Sequence, residues 1–166
     1  MTIRIRPFRE TDAAAVGRLI AYTFREFNLS YAPPEKQEKL LGPFRHARSR
    51  SAKRQAEIAR LIRAPWVLVA VEDDEILGVL RGSPGRLHSL FVHKRAHRRG
   101  IGRRLMSAFE RKCREEGIAK ITMQSSLYAV PFYQALGYMR STGVRKGPCF
   151  DGTDFPYQPM KKLLDA

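Results

Sequence analysis

The 166 residues, 43% hydrophobic and 28% charged, suit one soluble globular domain spanning 1–166 and leave no apolar run near the ~20 residues that cross a bilayer. The opening "MTIRIRPFRE" alternates apolar and charged residues and lacks the apolar stretch of a secretory signal, so a cytoplasmic location without a membrane partner is expected. Lys and Arg outnumber Asp and Glu by 31 to 16, and the resulting +15 favours an anionic partner (nucleic acid, a membrane surface or a polyphosphate cofactor) beyond a basic solvated surface.

In chain order, residues 2–6 read as a strand ending at Pro7. Thr11 or Asp12 can cap the helix that follows, whose Val16, Leu19, Ile20, Thr23, Phe24 and Phe27 share one face. After the Ala32-Pro33-Pro34 break, helices are expected over 35–41 and 50–63. Trp66–Val71 and Glu75–Arg81 form a hairpin about Glu72-Asp73-Asp74, and residues 86–92 make a further strand. A helix starts near Gly100, presents Ile101, Leu105, Phe109 and Cys113 on one side, and stops at Gly117. Then come a strand over 119–124, a short helix ended by Gly137, and two last strands, 138–142 and 157–164. The order predicts a mixed α/β sheet with helices packed on it.

Six Lys or Arg fall between Lys94 and Arg104, where a helix N-terminus already carries partial positive charge. A strand, a basic turn with close glycines and then a helix is a recipe for binding phosphate: glycine admits close approach, and the free N–H groups of the first turn point at the anion. "HRRGIGRR" is neither a dinucleotide fingerprint, because Leu105 stands at the third glycine position, nor a P-loop. His88, His93 and His97 lack metal-ligand spacing, no metal is expected, and Cys113 and Cys149 read as free thiols, Cys113 a buried one.

"LFVHKRAHRRGIGRRLM" followed by "SSLYAVPFYQALGY" resembles the Gcn5-related N-acetyltransferase (GNAT) superfamily. Its acyl-CoA loop, Gln/Arg-x-x-Gly-x-Gly/Ala, is matched by His97-Arg98-Arg99-Gly100-Ile101-Gly102, with His97 replacing the usual Gln or Arg. Its second signature is matched from Ala129 through Phe132-Tyr133 to Gly137-Tyr138. The resemblance implies a mostly antiparallel, twisted sheet of about 6–7 strands, splayed at an acyl-CoA cleft, and an enzyme moving acetyl from acetyl-CoA to a primary amine of a small molecule or peptide. It places backbone groups of Leu90, Phe91 and Val92 on the pantetheine and the N–H groups of Arg98–Arg103 on the pyrophosphate, with Arg99, Arg103 and Arg104 adding charge. The Val92 N–H polarises the thioester carbonyl, Tyr133 is the general acid, and Ser125-Ser126 stand where relatives often carry Asn.

The strand 86–92 holds no acid, so His88 is the candidate base, with Glu72 or an ordered water as alternatives. Alternation puts His88, Leu90 and Val92 on one face. Phe24, Phe27 and Tyr31 and the 143–157 loop frame the acceptor; its Asp151 and Asp154 either steer a cationic amine or serve the Asp151-Gly152 turn. A basic nucleic-acid-associated module, for which segment 44–63 is the candidate surface, and a non-catalytic acyl-CoA sensor are the competing readings; a homodimer is compatible with final-strand exchange or edge pairing.

Overall fold

The computed structural model describes residues 2–165. The alternating start forms strand β1 (Arg4–Pro7). Asp12 does not cap the next helix: its carboxylate accepts from the Arg9 N–H at 2.8 Å and from the Arg6 guanidinium at 2.8 and 3.0 Å. Helix α1 (Ala13–Thr23) buries Val16, Leu19, Ile20 and Thr23 as its 3.6 period demands, then widens into a π-helical turn over Phe24–Asn28. That turn separates two residues expected on one face. Phe24 is 5% exposed in the core, whereas Phe27 is half-buried and packs elsewhere.

Helices α2 (Pro34–Leu41) and α3 (Ala52–Ile62) follow, and the Ser51 hydroxyl accepts from the Arg54 N–H to cap α3. Strands β2 (Trp66–Glu72) and β3 (Glu75–Ser83) turn about Asp73 and Asp74, at φ 49° and 63°, the left-handed pair that suits strand twist in a two-residue hairpin. Then come β4 (Arg86–Val92), α4 (Ile101–Glu115), β5 (Lys120–Ser126), α5 (Val130–Ala135) and β6 (Met139–Arg140). The stretch expected as a 143–157 loop is instead a hairpin of β7 (Arg145–Cys149) and the start of β8 (Gly152–Leu163). Gly147 and Pro148 disguise β7, since both residue types are depleted in strands.

The eight strands run β1-β2-β3-β4-β5-β8-β6, with β7 also on β8. Every pairing is antiparallel except β4 with β5, which meet at a single position, Arg86 opposite Thr122, and then diverge. Helices α4 and α5 close one face over Leu80, Leu87, Ile121 and Met123; α1 to α3 pack the other over Val69, Val71 and Val79. Among the described residues no helix is long and apolar enough to cross a membrane.

Arg81 of β3 joins the helical layer to the sheet. Its guanidinium donates to the Ile62 carbonyl at 2.8 Å and the Leu61 carbonyl at 2.7 Å, satisfying the last turn of α3, and reaches Ser89 Oγ at 3.3 Å. Replacing it with methionine keeps the length and removes the donors. Arg81→Met should cost about 2 kcal/mol in urea unfolding; a change within about 0.5 kcal/mol, the usual range of a surface substitution, would show that α3 does not need this cap.

Candidate active site

Where β4 and β5 part, the sheet exposes backbone in its middle. His93 donates its N–H to the Leu77 carbonyl of β3 at 2.8 Å, and Phe91 stands opposite Val79 in the same register. Successive residues of a strand direct their polar groups to opposite sides, so Leu90 and Val92 turn theirs away from β3 into the gap. Phe91, grouped with them from sequence, turns its N–H and carbonyl toward β3 and its ring into the α1 core against Phe24. On the other bank the Thr122 N–H reaches the Gly85 carbonyl at 3.0 Å, and the same alternation aims the groups of Gln124 and Ser126 into the gap. Sequence reasoning missed Gln124, although its alternation with buried Ile121, Met123 and Ser125 marks the outward positions of β5.

Two carbonyls of this cleft are already engaged. His97 Nε2 lies 2.8 Å from the Val92 carbonyl, a contact that makes this nitrogen the donor, and Ser125 Oγ donates to the Ser126 carbonyl at 2.7 Å. The His97 ring packs on Phe27, with centroids 4.9 Å apart, and Phe27 packs on Tyr128 at 5.2 Å. This row of rings links the turn after α1 to the segment after β5. His97 therefore has a built role at a position where the resemblance expects Gln or Arg.

Beyond β4 the loop is shaped for an anion. Arg98 and Gly100 take left-handed conformations, φ 65° and 77°, and Arg104 closes the first helical turn onto the Gly100 carbonyl. Among the described residues the N–H groups of residues 98–103 have no helical acceptor, and Ile101 anchors the turn in the core. Gly102 packs closely: a Cβ there would lie 3.0 Å from the Phe132 ring of α5. Three ion pairs pin the loop, Lys94 to Glu26 at 3.3 Å, Arg95 to Glu75, and Arg99 to Glu72 through two bonds of 3.1 and 2.5 Å. Arg98 and Arg103 are exposed and outside the ion pairs of the described residues; Arg104 lies with Ile5 and Arg111 on the β1 side of α4, away from the cleft.

Tyr133 enters from α5, 5% exposed, between Phe132 and Tyr138. Its hydroxyl makes no hydrogen bond among the described residues, yet no fully occluded side-chain oxygen is left without a partner. The hydroxyl oxygen is therefore not fully occluded. Burial pushes the phenol well above the ordinary tyrosine value, so it holds its proton at neutral pH.

The other expected residues are not gathered here. His88 is the extra residue of a β-bulge, because Gly82 pairs with Leu87 and Arg81 with Ser89. The bulge breaks the alternation that grouped it with Leu90 and Val92. Its Nε2 sits 3.0 Å from Ser83 Oγ near the apex of the cleft, four residues from Val92 or roughly 13 Å along the strand. Burial, with the Arg81 and Arg86 cations, holds its pKa below the ordinary histidine value. Glu72 is committed to Arg99, whose guanidinium holds that carboxyl below the ordinary carboxylate range and makes it a poor base. Phe24 is core, Tyr31 is 52% exposed, Asp151 pairs with Arg45 at 2.9 Å, and Asp154 is exposed in β8 at φ 63°.

The acetyltransferase (GNAT) domain family matches residues 32–164. No curated protein sequence matches the chain. Among solved structures it is similar to a GCN5-related N-acetyltransferase from Rhodopseudomonas palustris, at 22% identity, TM-score 0.78, over 99% of this chain and 97% of that one. The PaiA N-acetyltransferase from Thermoplasma acidophilum in complex with coenzyme A is 18% identical, TM-score 0.72, over 99% and 100%. The ribosomal-protein-S18-alanine N-acetyltransferase from Escherichia coli is 14% identical, TM-score 0.64, over 99% and 96%. At these identities the likeness shows the fold.

The buried phenol offers a direct check. In an alkaline titration followed by ultraviolet absorbance, Tyr133→Phe should show the same phenolate gain as the native protein up to about pH 11, one unit above an ordinary tyrosine. A smaller gain in the variant would mean that Tyr133 titrates as an exposed phenol.

Proposed function

The chain belongs to the GNAT acetyltransferase family, and on that premise we propose that it transfers acetyl from acetyl-CoA to a primary amine by direct attack while both are bound. The observation that carries this is a β4 edge turned into the gap at Leu90 and Val92, with the Val92 carbonyl held by His97, followed by the left-handed Arg98–Gly100 turn. One supplies a strand-like partner for the amides of a pantetheine arm; the other supplies free N–H groups for a pyrophosphate. Acetyl-CoA, when bound, supplies the activated thioester.

The chain's own residues divide the remaining work. Amides of residues 98–103 hold phosphate oxygens, and exposed Arg98 and Arg103 add charge without first breaking an ion pair. The Val92 N–H, turned away from β3, would donate to the thioester carbonyl oxygen as negative charge develops there. His97 holds the Val92 carbonyl, and so fixes the plane of that peptide. Tyr133, which keeps its proton at neutral pH, would donate it to the departing CoA sulfur as the carbon–sulfur bond breaks and regain a proton from water. With α4 and α5 filling one face, the amine approaches from the face that carries α1. With Glu72 engaged and His88 at the apex, no side chain is assigned as base, and the ammonium proton leaves to water through that open face.

Two outcomes test the assignment. Gly102→Glu should abolish acetyl-CoA binding by calorimetry, because it drives a carboxylate between the phosphate cradle and Phe132; Tyr133→Phe should lower kcat about tenfold or more while leaving acetyl-CoA affinity within about twofold. Unchanged binding in the first, or unchanged kcat in the second, would remove that residue from the mechanism. The acid limb of kcat/KM should also follow the pKa of whichever amine is supplied. A limb fixed in pH across amines of different basicity would reveal a side-chain base.

A further inference from the structure

The net charge of +15 exceeds what one cofactor's phosphates neutralise, and part of the surplus lies on the sheet itself. Lys120, Thr122 and Gln124 alternate with the buried core positions of β5, so they face away from α4. Register brings Lys161 of β8 opposite Thr122, and from the β4 side Arg86 donates to Thr122 Oγ1 at 3.3 Å. Arg145 of β7, opposite Tyr157 and so level with Ser126, extends the same face toward the wide end of the cleft. Helix α1 packs over β3 and β4, and α2 over the start of β8, where Gly152 meets Leu40; among the described residues no helix packs closely on the rest of this half of the sheet. Strands β4 to β8 carry one acid, Asp154. Four carboxylates near the acceptor side are engaged, Glu26 by Lys94, Glu38 by Arg25, Glu72 by Arg99 and Asp151 by Arg45, while exposed Glu35 and Asp154 stand outside the ion pairs of the described residues.

We infer that the acceptor amine belongs to an acidic polypeptide, whose carboxylates lie across the Arg86–Lys161 row of the uncovered sheet. The inference rests on the transferase reading above and names its substrate class. A polycationic acceptor meets a field of its own sign on this face, and so does a second copy of the chain, which presents the same cations. Nucleic acid matches the charge but has no aliphatic amine to receive an acetyl group. From Val92 to the level of Arg86 is six residues of strand, roughly 20 Å. An extended peptide with its N-terminal amine at Val92 therefore brings about its sixth to eighth residues onto the cations.

The test uses the full chain with acetyl-CoA and peptides that share their first five residues and then carry three Glu, three Ser or three Lys. CoA release should give a KM about tenfold or more lower for the Glu peptide than for the Lys peptide, and added salt should shrink the gap. Lys120→Glu combined with Lys161→Glu should reverse the order while acetyl-CoA affinity and the circular dichroism spectrum stay unchanged. Equal KM values for Glu and Lys peptides, or a double variant with native preference, would overturn the inference and leave the transferase reading standing. No CoA release from any peptide or small amine would overturn the transferase reading instead. Fluorescence anisotropy of the labelled Glu peptide then decides the face: binding lost in the double variant supports it, and binding retained there, or none to the native chain, overturns it. A uridine oligonucleotide that binds more tightly and displaces the Glu peptide also overturns the inference, in favour of a nucleic-acid surface.

Discussion

One residue pair governs the architecture. Strands β4 and β5 run parallel and touch at Arg86 and Thr122 alone, so the sheet opens in its interior rather than at an edge. Unpaired backbone in a sheet is costly unless something takes its hydrogen bonds, and proteins cover or blunt such strands. Here the exposed groups are left facing one another across a wedge, and the two carbonyls nearest its mouth are met by side chains, Val92 by His97 and Ser126 by Ser125. The bulge at His88 bends β4 close to where the strands part, and α4 and α5 hold the wedge open from behind, with Phe132 against Gly102. A cleft of this kind accepts an amide-bearing chain because that chain supplies what the missing strand would have supplied.

The loop beyond β4 solves a second problem. Cations at a helix N-terminus oppose its dipole, and a free basic loop would be both unstable and mobile. Glu26, Glu72 and Glu75 come from two different parts of the chain to neutralise Lys94, Arg99 and Arg95. These pairs are exposed, and each contributes little stability alone. Their shared effect is geometric. They fix the loop in its left-handed turns, so that amides rather than long flexible side chains present the first contact to an anion. The same contact that shapes the loop also commits the Glu72 carboxylate to Arg99.

Much of this was legible in the sequence because it is periodic or local. The alternation in β1, the Glu72-Asp73-Asp74 turn, and the apolar stripe of α4 from Ile101 to Cys113 each follow from neighbours a few residues apart, and the resemblance joined "HRRGIGRR" to Phe132-Tyr133. The misreadings share a physical origin: one extra residue changes a face. The π-turn at Phe24–Asn28 sends Phe24 into the core and Phe27 to His97, where helical spacing had kept them together. The bulge at His88 likewise detaches that residue from Leu90 and Val92. Strand β7 was hidden by Gly147 and Pro148, and its pairing with β8 depends on register set well beyond the local sequence. Long-range ion pairs such as Arg99 with Glu72 leave no local trace at all.

Charge connects these levels. Glu26, Glu38, Glu72 and Asp151 are drawn into ion pairs with loop or helix cations, and the strands beside the cleft carry Arg86, Lys120, Arg145 and Lys161 with Asp154 as their one acid. A site meant to concentrate polyamines or aminoglycosides would need the reverse arrangement, free carboxylates around a neutral entrance. The positive field is also long-ranged relative to hydrogen bonds, reaching about 8–10 Å at physiological salt. It therefore acts on an acceptor before any contact forms, favouring approach by an acidic body and holding off cationic ones. Its sign is opposite to that of a carboxylate-lined amine pocket, and the selection it imposes falls on the part of the acceptor that does not react.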